Sequence, residues 1–151
     1  MPDFAALVPV LEYLEHNPAT AIDGEWSLYR TLIHCAQSIE YSITGFPVHR
    51  SIILRRTIGP LVARRFLKRG AMNHNRAEPI PGAPEIPEDG PVPEAVRRLR
   101  EAMARFANHS ERVSEHFIFG RLSKEQFGEL HVLHMKNHFE LLHESAHKPE
   151  K

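Results

Sequence analysis

Three histidines, His131, His134 and His138, stand at spacings of three and four within residues 130–142. In a helix such neighbours lie one above another, here within an arc of about 60° at 100° per residue. Phe127, Leu130, Met135, Leu141 and Leu142 fall on or beside that arc, and Glu129, Lys136 and Glu140 fall opposite. The imidazoles are therefore expected to face inward, where a polar group needs a partner. One candidate partner is a metal, since neutral imidazole is a common ligand. Histidines four apart have Cβ atoms about 5–6 Å apart, so His134 and His138 can both reach one cation at about 2.0–2.1 Å. The other candidate is a hydrogen bond, which is the simpler expectation for His131. A third ligand from another helix would make a centre of catalytic type, with one position left for water or substrate. His34 is the candidate by spacing and helix context, and His131 is a further ligand from the same helix or a group behind the ligands.

Other chemistries are poorly served. Position 135 is methionine, so the H-E-x-x-H pattern of zinc proteases is absent. No glycine-rich phosphate loop occurs. Cys35 adjoins His34, but adjacent helical residues diverge by about 100°, so the thiol reads as a buried structural group. His131 and Glu40 are weak candidates for a general base.

The 151 residues are 42% hydrophobic and 25% charged, which predicts one ordered domain over residues 1–151. The single cysteine excludes an internal disulfide framework and suits a reducing cytoplasm. The first residues, MPDFAALVPV, carry an acid and no basic stretch, unlike a secretory signal. No apolar run reaches the ~18 residues of a membrane span. The net charge of zero hides an asymmetry. Between Glu40 and Glu78 there is no acid, while Arg50, Arg55, Arg56, Arg64, Arg65, Lys68, Arg69 and Arg76 all fall there. This segment either pairs with acidic neighbours or attracts an anionic ligand. Nucleic acid is not expected, because binding motifs and interleaved aromatic residues are lacking.

The elements that must position the histidines follow from apolar periodicity. Asp3 caps a first helix with Phe4, Leu7, Val8, Leu11 and Leu14 on one side, ending near Asn17-Pro18. A second helix runs from about Trp26 to Ile43 and stops at Gly45-Phe46-Pro47, with Leu28, Leu32, Cys35, Ala36, Ile39 and Ile43 inward. His34 lies outside that set, in a polar stripe with Ser27, Arg30, Thr31 and Ser38. The stripe faces water or lines a polar cavity, and the residues alone slightly favour water. Ser51 caps a basic third stretch to Arg69, broken at Gly59-Pro60. Residues 78–93 hold six prolines and predict an extended, semi-rigid crossover, largely on the surface and without a core-forming period. Pro93 opens a fourth helix bearing Val96, Leu99, Met103 and Phe106. Ser123 and Gln126 form a capping-box signal for the last helix, expected to reach about Ala146. No segment reads as a strand. The fold class is all-α, a four-helix bundle with an extra short helix and a long proline-rich crossover.

The residues 32–42 with Gly45-Phe46-Pro47, His116 with Phe119-Gly120-Arg121-Leu122-Ser123, and His134-Met135-Lys136-Asn137-His138 together carry a family likeness. Over about residues 26–142 the sequence resembles the DinB-like superfamily of metal-binding helical bundles, in a branch known only as a domain of unknown function. The resemblance implies a divalent metal, zinc or nickel, held by His34, His134 and His138, and so a polar cavity around His34. It implies a thiol-cofactor-dependent S-transferase or isomerase using mycothiol, bacillithiol or glutathione, with basic residues of the third stretch meeting the cofactor's carboxylates. A hydrolytic variant would use metal-bound water. The alternative is a non-catalytic metal-binding or stress-associated module. A small-molecule ligand and a homodimer are the implied partners. Two departures stand out. Phe117 follows His116 where many relatives have proline, and Asn137 precedes the last ligand where relatives often have histidine.

Overall fold

The computed structural model describes residues 4–143. A single 3-10 turn, Phe4–Leu7, leads into α1 (Val8–His16), followed by a two-residue strand β1 (Ala21–Ile22). Next come α2 (Leu28–Thr44), the short α3 (Ile52–Arg56), α4 (Ile58–Arg69), α5 (Val92–Asn108), α6 (Lys124–Phe139) and β2 (Leu142–His143). The architecture is all-α and bundle-like. Helix α5 packs against α1 and α2, and α6 packs against α2 and α4.

The apolar stripes do most of this work. Leu11, Leu14, Leu32, Ile39, Leu99, Phe106, Phe127 and Met135 are fully buried in one core, each side chain contributing about 1.5–3 kcal/mol. Val8 is the exception in its predicted stripe and is exposed. Capping fixes where α2 and α6 begin. The Ser27 hydroxyl accepts from Arg30 N–H at 3.1 Å. At α6 both halves of the capping box form, with Ser123 Oγ accepting from Gln126 N–H at 3.1 Å and Gln126 Oε1 accepting from Ser123 N–H at 3.0 Å.

Four expectations are corrected. The break in the basic stretch falls at Thr57 (φ −119°, ψ −84°) rather than at Gly59-Pro60. Pro60 is the third residue of α4, in a first turn whose N–H groups lack helical partners anyway. Gly59 is required there for space, since a Cβ would lie 2.0 Å from the Ile118 carbonyl oxygen. The proline-rich crossover is not merely a surface strap, because Ile80 and Ile86 are buried in the main core. Its end is tied to the start of α2, where Arg30 meets Glu88 at 2.6 Å. Helix α6 stops at Phe139 instead of continuing. The chain turns at Glu140 and Leu141, and Leu142–His143 pairs antiparallel with Ala21–Ile22, half-burying Ile22 and Leu142. A short strand pair therefore exists where none was expected. Asp3 and Ala146 lie outside the described residues.

In the basic segment, Arg50, Arg55 and Arg76 pair with Glu78, Glu115 and Glu140. Arg56, Arg64, Arg65, Lys68 and Arg69 are exposed on α3 and α4. So are Ile52, Ile53, Ile58 and Leu61. No helix among the described residues is long and apolar enough to cross a membrane.

Candidate metal centre

Helix α2 is buried on more sides than its apolar stripe suggests. Thr31, His34 and Gln37 are all buried, so the polar stripe faces the interior and not water. From the other side α6 supplies His134 and His138. The three imidazoles converge. His34 Nε2 lies 3.2 Å from His134 Nε2, and His134 Nε2 lies 3.2 Å from His138 Nε2. Ligand atoms of all three lie within 4.8 Å of one another. His34 and His138 are buried and His134 is half-buried. Trp26 stacks on His138 at 6.3 Å and meets His34 edge-on at 5.0 Å.

A hydrogen-bond network cannot account for this cluster. One ring nitrogen offers either one proton or one lone pair. His134 Nε2 has two imidazole neighbours, so at most one of the two contacts can be a well-formed hydrogen bond. A cation removes the conflict, because three lone pairs can then point at one centre. The spacing fits as well. Donors at 2.0–2.1 Å from a metal are about 3.0 Å apart in octahedral and about 3.4 Å apart in tetrahedral arrangement. The protonation state also fits. Burial, then His74 and Arg30, lowers the His34 pKa to about 3. Burial, then His34, His74 and Arg76, lowers that of His138 to about 2. His134 is held well below the ordinary value, by burial first and its histidine neighbours second. All three are neutral near pH 7, the state a metal requires.

The remaining candidates do other things. His131 is not in the cluster. Its Nε2 lies 2.9 Å from Ser42 Oγ, and its ring stacks on Phe127 and meets Phe106 edge-on. Glu40 is turned outward into a two-oxygen pair with Arg98, as close as 2.8 Å. Cys35 is fully buried, and burial pushes its thiol pKa up, as suits a structural residue.

Two cavities flank the histidines. One, of about 130 Å³, is a largely apolar chamber walled by Phe46, Phe66, Met72, Phe119 and Leu130, with His34 and His134 on its lining. His116 also lines it. Its Nδ1 accepts from the backbone N–H groups of Ile118 and Phe119, both at 3.0 Å. A neutral ring accepting at Nδ1 carries its proton on Nε2, so His116 is a fixed donor. Burial, then His131 and His49, lowers its pKa to about 3 and keeps it neutral. Gly120 (φ +74°) holds this loop against α3, where a Cβ would lie 2.3 Å from the Arg55 carbonyl oxygen. The second cavity is a more polar vestibule of about 330 Å³, lined by Glu25, Trp26, Asn75, Arg76 and His138 among others. Arg64, Arg65, Lys68 and Arg69 line neither.

Sequence reasoning missed His74. It lies on coil after α4, yet its Nε2 is 3.3 Å from His138 Nε2. Coil has no periodicity to give a facing direction, and the only signal was a count of eleven histidines.

The fold and site define a helical bundle with a three-histidine group that could hold a metal ion. A family model described as "Protein of unknown function (DUF1569)" matches residues 3–145, and the chain belongs to that family. No curated protein and no solved structure matches it.

Proposed function

We propose that the protein binds a divalent metal, zinc or nickel, through His34, His134 and His138, as a metal-dependent enzyme of DinB-like type. The observation that carries this is the pair of 3.2 Å Nε2–Nε2 contacts sharing His134, which hydrogen bonding cannot satisfy together. The favoured activity is thiol-cofactor-dependent S-transfer or isomerisation. A metal in this position supplies a lowered thiol pKa and hence a thiolate nucleophile. The protein's own residues supply the rest. The chamber's aromatic walls take the apolar part of an electrophile and keep water from it. The His116 Nε2–H donates to a polar group on that substrate. Arg76, already shared with the Asn137 carbonyl and Glu140, is the vestibule's cation for a cofactor carboxylate. The exposed apolar side chains of α3 and α4 are the face on which a homodimer would form.

A second reading, a non-catalytic metal-binding module, is favoured by one observation. His74 sits against the centre where a substrate would approach.

The test is metal content by elemental analysis of purified protein beside a His134→Ala/His138→Ala variant. The expected result is stoichiometric metal in the first and none in the second; equal content in both refutes the triad. Metal-replete protein is then assayed with a generic electrophile and each of mycothiol, bacillithiol and glutathione. Turnover with one thiol supports the enzyme, and no turnover with any supports the module.

A further inference from the structure

The centre has one imidazole more than its ligand triad, and the extra one comes from coil. His74 Nε2 stands 3.3 Å from His138 Nε2, nearly the same approach as within the triad. Its ring centroid is 4.9 Å from that of His134 and 5.0 Å from that of His138. His138 Nε2 therefore also has two imidazole neighbours, His134 and His74. The one-site argument that applies to His134 applies again. A chain of four Nε2 atoms, from His34 through His134 and His138 to His74, holds three contacts but at most two hydrogen bonds.

His74 differs from the other three in how it is held. It is not in the group whose ligand atoms all lie within 4.8 Å of one another. No helix fixes it. Its Nδ1 is buried without a well-formed hydrogen bond, as is Asn137 Oδ1. Among the described residues, His74 is also the one that lines both the apolar chamber and the polar vestibule. It forms the wall between them, beside the metal position.

We propose that His74 is a displaceable fourth ligand, which takes the open position of the metal centre and yields it to a ligand entering from the vestibule. This rests on the metal reading of His34, His134 and His138. With a metal held by the triad, the exchange would break one metal–imidazole bond and form one bond to the incoming donor; a thiol entering this way would leave its proton to the solvent. Movement of His74 joins the two cavities at the metal, so a polar thiol from one side meets an apolar substrate from the other. The closed, four-imidazole form is reached by a shift of His74 towards the metal position, and it reconciles a shielded centre with an enzyme.

The experiment uses the full chain loaded with cobalt(II), which reports its own coordination by visible absorption. Wild type, His74→Ala, His74→Gln and His34→Ala are compared for ion content, for affinity by competition with a chromophoric chelator, and for response to added imidazole. Wild type and both His74 variants should each bind a single ion per chain. The His74 variants should bind about 10–100-fold more weakly, at least the loss seen when a supporting group is removed, with an altered spectrum. Imidazole should restore the wild-type spectrum in His74→Ala at concentrations at least about tenfold below those that perturb wild type. Wild-type affinity and spectrum in both His74 variants would overturn the proposal. So would weaker binding with an unchanged spectrum and no response to imidazole, which would make His74 a packing residue. Should His34→Ala match wild type in ion content, the triad itself fails, and that outcome is separate because it does not depend on His74.

Discussion

His131 and His134 lie one turn apart on α6, and the difference between them separates two kinds of buried histidine. His131 finds a protein partner, the Ser42 hydroxyl, and aromatic rings on its faces. Among the described residues, His134 Nε2 finds only other imidazoles. His116, across the chamber, belongs with His131, since two backbone N–H groups hold its Nδ1. A satisfied imidazole adds to the fold. A group of imidazoles in which one Nε2 atom faces two others has too few hydrogen-bonding sites to satisfy every contact and calls for a cation.

The largest expected effects would come from exchanging the two behaviours. His34→Ala should abolish stoichiometric metal binding while leaving the metal-free melting temperature within a few degrees of wild type. Adding metal at 100 times its Kd should stabilise wild type by about 2.7 kcal/mol and His34→Ala not at all. Equal thermal shifts in the two would erase the distinction. His131→Ala should do the reverse, costing about 2–4 kcal/mol in chemical denaturation through a cavity and a lost hydrogen bond to Ser42, whose hydroxyl still donates to the Ile39 carbonyl, with metal stoichiometry intact. Loss of metal in a folded His131→Ala protein would place His131 among the ligands. Ser42→Ala, which leaves His131 without its partner, should cost about 1–2 kcal/mol and leave metal affinity unchanged.

A further effect, spread over several pH units, concerns acid. In the unfolded chain a histidine takes up its proton near pH 6.5, but burial holds folded His131 neutral down to about 3. Below pH 6.5 the unfolded chain therefore binds more protons, and stability falls as the pH drops from 6.5 towards 3. Above pH 6.5 this contribution is level. His131→Gln should flatten the acid limb by up to one proton, about 1.4 kcal/mol per pH unit. An unchanged slope of metal-free stability against pH would show that His131 is already charged in the fold.

Helix periodicity made much of this visible. The Phe127, Leu130 and Met135 stripe gave α6 its inward face, and the Ser123 and Gln126 pair marked its start. Spacing and helix context raised His34 as a partner for His134 and His138, and likeness to metal-binding bundles favoured it. Residue type alone sent His34 towards water, because a polar stripe carries no sign of what packs against it. Three features had no local signal. His74 lies on coil, Ile80 and Ile86 reach the core from between prolines, and α6 ends where β2 meets a strand far away in sequence. In each case a distant partner overrides local preference.

The pairing of Ala21–Ile22 with Leu142–His143 bears on how the centre assembles. His34 and His134 are 100 residues apart, and closing so long a loop is costly in chain entropy. Once the two strands pair, that closure is already made. Only the short arms from Ile22 to His34 and from His134 to Leu142 remain to be ordered, so the imidazoles of α2 and α6 face each other at high effective concentration before any ion arrives. The clasp is small, and its worth lies in connectivity: it ties the chain segments flanking α2 and α6 together close to the ligands.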